Sequence, residues 1–305
     1  MTAFAQRCST IAQELAEPLA GTAPLARTWV AVEQPGPWGP KALTDSHLDP
    51  RVGGELAARS EGTGVSVVLV RRPGHHADPL STHRPTGPEG PEGPEGREDA
   101  APPRAVWIAH TGPDRWLMRA SVADPAVLLD LDFDALGAGS RPALGADDDG
   151  RLLLVCTNSR RDECCALLGR PVADHLADLH PGRVWESTHL GGHRLGPVVL
   201  SLPDGFVFGG PHAATLSLPG CRGRSTLPRP AQAAELAALA ASSDPTPRAL
   251  AVHPDGPYWT VDDPAEPAGG SRYLVTAATM DPPRKESCRK TPVSSQTYTA
   301  VRIGP

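Results

Sequence analysis

The sequence predicts an α/β protein with a β-rich carboxyl-terminal region. Apolar runs of strand length, such as Val65–Val70 and Leu152–Val155, alternate with segments of helical apolar spacing, such as Asp162–Leu179. The last sixty residues instead alternate short apolar stretches with Pro and Gly clusters. With 305 residues, 39% of them hydrophobic, the chain is long enough for two modest domains.

The first region, residues 1–148, is expected to be an α/β domain interrupted by a loop. Helical spacing covers Thr10–Leu19 and returns at Pro125–Leu136. Strands are predicted for four apolar runs: Trp29–Val32, Val65–Val70, Ala105–Ala109 and Trp116–Met118. At about residues 77–104 a repeated Gly-Pro-Glu sequence cannot bury enough apolar area to offset its ordering entropy. We therefore expect a disordered insertion there.

The second region, residues 149–245, begins with the continuous apolar run Leu152–Val155, which is typical of a strand covered on both faces. The run ends directly in Cys156. Asp162–Leu179 predicts a helix that Pro171 kinks or restarts. This part of the chain therefore has the order strand, loop, helix.

The elements that follow complete a recognisable layout. Arg183–Trp185 predicts a second strand, and a hairpin turning at Pro203-Asp-Gly joins Pro197–Leu202 to Phe206–Phe208. Pro230–Ala241, rich in Ala, Leu and Glu, predicts the closing helix. The order β-α-β-ββ-α is the thioredoxin arrangement. Residues 246–305 then form a β-rich extension, with strand-like runs at Ala249–Val252 and Tyr273–Ala277.

Charge and hydropathy exclude some partners. A net charge of −6 and a pI near 6.0 give no broad cationic surface for nucleic acid or anionic membrane, so a small molecule or a protein is the expected partner. Nowhere do eighteen apolar residues run together, and the amino terminus lacks a long apolar segment. We expect a cytoplasmic protein without a membrane partner.

The six cysteines are too few and too unevenly placed for a disulfide scaffold, which favours reduced thiols or metal ligands. Cys156 follows a buried strand, and Cys164 and Cys165 begin the next helix. His189 and His193 lie four residues apart in a glycine-rich loop after the following strand. Thiolates and imidazoles at neighbouring strand ends can converge on one metal centre, although spacing alone does not choose between Cys164 and Cys165.

The histidine loop carries a resemblance to a known family. His189-Leu-Gly-Gly-His193-Arg-Leu-Gly-Pro-Val-Val-Leu-Ser-Leu-Pro-Asp-Gly205 resembles the Cys-Leu-Gly-x-Cys-x-x-Gly-Pro-Val-Val-x-x-x-Pro-Asp-Gly stretch of thioredoxin-like [2Fe–2S] ferredoxins, with both cysteines replaced by histidine. Together with the upstream Cys-Thr-x-x-x-Arg-Asp-x-Cys-Cys segment, it looks like the sucrase/ferredoxin-like family, whose fungal members use two cysteines and two histidines around a [2Fe–2S] cluster. The resemblance implies that Cys156, Cys165, His189 and His193 hold such a cluster.

The resemblance extends into the first region. Ala20–Pro24, Val32–Gly39 and Val70–Gly74 look like the amino-terminal half of actinobacterial members. The chain departs from the pattern in its Gly-Pro-Glu insertion and at Thr157-Asn-Ser, where a His-Gly is expected. Neither departure touches an implied ligand.

The implied function is single-electron transfer rather than sugar hydrolysis. Sucrose cleavage needs paired carboxylates, and nothing pairs the acidic residues nearby: Asp162, Glu163, Glu186 and Asp204. The sequence has no nucleotide-binding fingerprint, so electrons are expected from a separate redox protein, a reductase or a ferredoxin. Two neutral imidazoles in place of thiolates would raise the cluster's reduction potential. Arg160, Arg161 and Arg194 flank the ligands and are expected to offset cluster charge, to dock an acidic partner, or simply to be solvated.

Two other interpretations use the same residues. A tetrahedral Cys2His2 zinc site would make the protein an interaction module, and Cys164-Cys165 or Cys156 could serve a metal-free thiol oxidoreductase. Cys164 is expected to be buried by helix packing, with a ligand or a spare thiol as the alternatives. The remaining cysteines lack ligand spacing and are expected to be ordinary thiols: Cys8, Cys221 and Cys288. The other histidines are weaker candidates as metal ligands. They either border the insertion or lie on or after the helix between the ligand pairs: His75, His76, His83, His175 and His180.

Overall fold

The computed structural model describes residues 7–74, 102–265 and 270–304. The helices of this part of the chain are α1 (Cys8–Glu14), α2 (Pro50–Ser60), α3 (Phe133–Ala138), α4 (Glu163–Leu179) and α5 (Arg229–Ala241). Its strands are β1 (Thr28–Glu33), β2 (Val65–Arg71), β3 (Arg104–His110), β4 (Trp116–Val122), β5 (Ala146–Asp147), β6 (Leu152–Cys156), β7 (Val184–Ser187), β8 (Val199–Leu202), β9 (Phe206–Phe208), β10 (Cys221–Arg224), β11 (Ala251–Asp255), β12 (Tyr258–Asp262), β13 (Ser271–Thr279) and β14 (Gln296–Ile303).

Ten strands form one mixed sheet in the order β10-β9-β8-β6-β7-β2-β1-β3-β4-β5. Its two halves repeat one pattern. In the amino-terminal half β1 pairs parallel to β2 and antiparallel to β3, and β4 and β5 follow outward. In the other half β6 pairs parallel to β7 and antiparallel to β8, and β9 and β10 follow outward. The predicted element order β-α-β-ββ-α of the second region is thus confirmed in β6, α4, β7, β8, β9 and α5, with one further strand, β10, before α5. The strands of the first region have the same connectivity.

The two half-sheets meet where β2 pairs antiparallel with β7, and they fold against each other there. The junction is short, with Val70 opposite Ser187 and Arg71 opposite Glu186. Trp29 Nε1 donates to Ser225 Oγ at 3.1 Å, although β1 and β10 are six strands apart, which is roughly 29 Å in a flat sheet. The Trp107 and Trp185 rings pack at 4.5 Å across the same space. The inner faces of both halves therefore share one apolar core.

Helices cover the outer faces. Leu153 and Val155 of β6 pack with Leu176 of α4 and Leu239 of α5 in a second core. The outer face of the amino-terminal half packs with α2 through Leu56. The second sheet, in the order β11-β12-β13-β14, lies against α5 and confirms the β-rich carboxyl-terminal region. Among the helices of the described chain, none has the length and hydropathy that a bilayer crossing requires.

Local signals explain most element ends. Asp162 begins α4 by accepting from the Cys164 amide at 3.0 Å, and α4 continues through Pro171 as one helix. The helix expected at Thr10–Leu19 begins earlier and ends at Glu14, because Ala16 adopts positive φ just before Pro18. The Pro125–Leu136 segment divides in two, since Asp132 caps a separate helix, α3.

Some elements were not predicted, and some predictions lie outside the described residues. Helix α2 has a recognisable start, because Asp49 is its N-cap and Pro50 is its first residue. Strand β5 has only two residues, and β10, Cys-Arg-Gly-Arg, has no apolar run. The insertion expected at about residues 77–104 falls almost wholly on residues that the structure does not describe, and β3 begins at Arg104. The boundaries predicted at residues 148 and 245 lie between β5 and β6 and between α5 and β11; the division into separate domains stays a prediction.

Candidate metal centre

The candidate centre lies at the carboxyl ends of two parallel strands. β6 and β7 run side by side with Cys156 opposite Ser187, so both strands end at the same level. The chain after β6 turns through residues 157–162 into α4, which places Cys165 in its first turn. The chain after β7 leads within two residues to His189. Consecutive elements therefore bring thiols and imidazoles from three segments to one edge of the sheet.

All four residues of the implied ligand set lie together. The Cys156 and Cys165 sulfurs and a His189 ring nitrogen are within 4.8 Å of one another. His193 Nδ1 lies 3.2 Å from the Cys165 sulfur. The two imidazole rings stack with centroids 3.7 Å apart and planes 17° apart. Residue spacing did not choose between Cys164 and Cys165, and in the structure it is Cys165 that faces Cys156.

The thiols lie deeper than the imidazoles. Cys156 and Cys165 are 1% and 2% exposed, whereas His189 is half-buried. Both histidines line a cavity of about 690 Å³ that also receives Arg160, Arg161 and Lys290. A group held here would be shielded on its sulfur side and would face the cavity through its histidine side.

The electrostatics of the centre set a different protonation state for each thiol and keep one imidazole neutral. A hydrogen bond from the Cys165 thiol, together with His189, holds the pKa of Cys156 well below its usual value despite complete burial. The same contact and burial raise the pKa of Cys165. Burial first, then the neighbouring His189, lowers the pKa of His193 to about 3. One thiolate and a neutral imidazole are thus available at neutral pH.

A buried arginine holds the histidine loop. Arg222, from β10, donates through Nε to Thr22 Oγ1 and through Nη1 to the Gly191 carbonyl, both at 3.0 Å. Gly192 adopts a φ of +78°, and a Cβ there would lie 2.5 Å from Arg222 Nη2. The close approach and the positive φ both require glycine at this position. No sequence signal identified Arg222, because the contact depends on the folding of β10 against the loop.

A second group of thiols lies beside the first. Cys164 is buried, as expected, but it turns away from Cys156 toward Cys8, Cys288 and the Asp162 carboxylate. Sequence reasoning missed this group, since Cys8 and Cys288 lie 156 and 124 residues from Cys164 along the chain. Cys221 is buried in β10 and belongs to neither group.

The flanking arginines differ in their surroundings. Arg160 and Arg161 are exposed at the cavity rim, whereas Arg194 donates to Glu17 at 2.6 Å. His175 is exposed on α4, ten positions from Cys165, roughly 15 Å along the helix. His180 caps the far end of that helix. His75, His76 and His83 lie outside the described residues.

The four acidic residues named from the sequence have separate partners, and Asp204 lies at the opposite end of β6 from Cys156. Asp162 caps α4, and Glu163 contacts Arg7 at 3.7 Å. Glu186 binds Arg71, and Asp204 contacts Arg115 at 3.3 Å. Each of these four carboxylates therefore has a structural partner.

Comparison with known proteins identifies the family. No curated protein matches the chain, and no solved structure does. A family model described as sucrase/ferredoxin-like matches residues 19–216, which include β1 to β9 and all four residues of the candidate centre. The match covers more than half of the chain. The protein therefore belongs to the sucrase/ferredoxin-like family.

Proposed function

We propose that the protein is an electron carrier that holds a [2Fe–2S] cluster with Cys156, Cys165, His189 and His193. The observation that carries the proposal is the convergence of a stacked histidine pair on a buried cysteine pair at the ends of β6 and β7. Two thiolates and two imidazoles are the donor set of mixed-ligand [2Fe–2S] centres. The burial of both sulfurs and the neutrality of His193 suit such a group.

When bound, the cluster would accept and release single electrons. The residues of the chain supply its surroundings: Cys156 and Cys165 shield the inner side, and the histidines form the side that meets the cavity. Arg222 fixes the histidine loop through Gly191. Electrons would accordingly pass through the histidine side, which lines the cavity.

Iron and sulfide content tests the proposal. Protein purified without air should contain about two irons and two sulfides per chain and show visible absorption. Cys165→Ser should lose most of the iron, and His189→Cys should shift the absorption and lower the reduction potential, because a thiolate adds negative charge. Cys221→Ser is the matched control, since Cys221 is equally buried but stands apart. Colourless protein with one zinc on these four residues would contradict the proposal.

The expected partner is an acidic redox protein. Among the described residues that line the cavity, Arg160, Arg161, Arg289 and Lys290 are all exposed, and one residue, Glu286, carries a carboxylate. Such a rim attracts negative surfaces and accelerates their encounter at low salt.

Small oxidants of opposite charge test this rim. Oxidation of the reduced protein by ferricyanide should slow several-fold when ionic strength rises from about 0.02 to 0.2 M, because salt screens the attraction. Arg160→Glu/Arg161→Glu should slow it further and speed oxidation by the cation tris(phenanthroline)cobalt(III). Equal salt dependence for both oxidants would show that the rim does not steer electron-transfer partners.

A further inference from the structure

The second thiol group joins three distant parts of the chain. Cys8 begins α1, Cys164 lies in the first turn of α4, and Cys288 lies in the connection between β13 and β14. Their sulfurs are 3.7 Å (Cys8–Cys164), 3.5 Å (Cys8–Cys288) and 3.3 Å (Cys164–Cys288) apart. Cys8 and Cys164 are fully buried, and Cys288 is half-buried. The three thiols thus form a nearly equilateral triangle inside the protein.

A carboxylate completes the group. Asp162 is 1% exposed, and its oxygens lie 3.8 and 3.9 Å from the Cys8 sulfur. The amides of Cys164 and Cys288 donate to the two oxygens at 3.0 and 2.8 Å and so fix their orientation. Among the described residues, no lysine, arginine or histidine nitrogen lies within 4.0 Å of this carboxylate. Three thiols beside a buried carboxylate are a donor set that zinc ligation uses.

The distances match one tetrahedral ion. Four ligands around zinc, with Zn–S bonds of 2.3 Å, place sulfurs about 3.8 Å apart and a carboxylate oxygen about 3.6 Å from each sulfur. A disulfide would instead bring one pair to about 2.05 Å, and here no pair is singled out. In an iron–sulfur cubane each cysteine binds a different iron, which spreads the sulfurs further than one shared ion does.

We propose that Cys8, Cys164, Cys288 and Asp162 bind one zinc ion. Binding forms three Zn–S bonds and one Zn–O bond, and each cysteine that is protonated beforehand releases its thiol proton to solvent. Two donors are already aimed at the sulfurs: the Ser9 hydroxyl lies 3.2 Å from Cys164, and the Cys8 amide lies 3.5 Å from Cys288. Thiolates bound to zinc accept such hydrogen bonds, which orient them.

The zinc would hold the surroundings of the candidate redox centre. Cys164 and Cys165 are neighbours on one helical turn, and they face the two different groups. The segment that carries Cys288 also supplies Ser287 and Lys290 to the cavity beside the histidines. One ion would therefore fix α1, the start of α4 and this cavity wall together.

Metal analysis of the whole chain tests the site. The wild-type protein should retain about one zinc per chain in addition to any iron. Cys8→Ser and Cys288→Ser should bind zinc at least tenfold more weakly in competition with a chromophoric chelator. Cys288→His should retain it, because imidazole is also a zinc ligand. Cys221→Ser and Cys156→Ser are controls that should keep the zinc.

X-ray absorption at the zinc edge gives a readout on the wild-type protein that needs no variant. Three sulfurs near 2.3 Å and one oxygen near 2.0–2.2 Å are expected. Two sulfurs with two nitrogens would place the zinc on Cys156, Cys165 and the histidines, which would overturn both this proposal and the proposed cluster. Absence of zinc, or zinc unchanged in Cys288→Ser, would overturn this proposal alone and leave the iron result standing.

Discussion

The two half-sheets share a connectivity but differ in what their strand ends carry. The carboxyl ends of β6 and β7 lead to Cys156, Cys165 and the histidine pair. The corresponding ends of β1 and β2 lead to Gln34 and Arg71, and the sequence has no cysteine between residues 9 and 155. The same layout thus holds candidate metal ligands in one half and only packing residues at the matching positions of the other. The fold determines where the loops lie, and the residues of each loop determine its function.

The amino-terminal half supports the candidate centre from outside. Arg71 packs 4.0 Å from the Trp38 ring and donates to Glu186 Oε2 through Nη2 at 2.7 Å. The Thr157 hydroxyl, one residue after Cys156, donates to the same oxygen at 2.8 Å. The junction between the halves is therefore also a support for the loop after β6.

Breaking this junction should have the largest effect on stability. Arg71→Met removes the guanidinium that donates to the fully buried Glu186 through Nε and Nη2, and it should lower the free energy of unfolding by about 3–5 kcal/mol. Urea denaturation measures the loss. The matched change is Arg115→Met, because Arg115 and Asp204 join the tips of the same two halves but remain partly exposed. Its expected cost is about 0–1 kcal/mol, and equal losses would refute the view that the buried junction holds the halves together.

Two helix glycines, one in each half, differ in how closely their helices pack against neighbouring atoms. A Cβ on Gly169 of α4 would lie 2.2 Å from the Cys156 carbonyl oxygen, whereas one on Gly54 of α2 would meet nothing within 4 Å. Gly169→Ala should therefore destabilise by about 1–3 kcal/mol and reduce bound iron. Gly54→Ala should stabilise by about 0.5–1 kcal/mol, since alanine favours the helix. Thermal unfolding with iron analysis checks both; an innocuous Gly169→Ala would mean that α4 can move without disturbing Cys156.

Local patterns were enough for much of the second region. The run Leu152–Val155, the cap at Asp162 and the Pro203-Asp-Gly turn each specify an element from neighbouring residues, and the structure has strands, a helix and a hairpin there. The pairing of β2 with β7 has no such signal, because it joins residues 115 and 117 positions apart through only two register pairs. The repeat of one layout in both halves was hidden for the same reason, since the two halves share strand order rather than a sequence motif.

The residues of the candidate centre likewise fall into those that the sequence predicts and those that it does not. The motif around His189 and His193 pointed to the residues that the structure brings together with Cys156 and Cys165. Cys8 and Cys288 were expected to be ordinary thiols and Arg222 was not identified, because each reaches its neighbours only after distant segments pack. Residue spacing along the chain can identify ligands that lie in one loop or one helical turn. It cannot identify ligands that come together only when distant segments fold against each other.

Pulsed electron paramagnetic resonance of the reduced protein tests the central claim most directly. Protein with ¹⁵N-labelled histidine, prepared without air, should show a [2Fe–2S] signal with two nitrogen couplings, one from His189 and one from His193. His193→Cys should remove one coupling and keep the signal. A signal without nitrogen coupling, or no signal from protein that holds zinc on these four residues, would contradict the account.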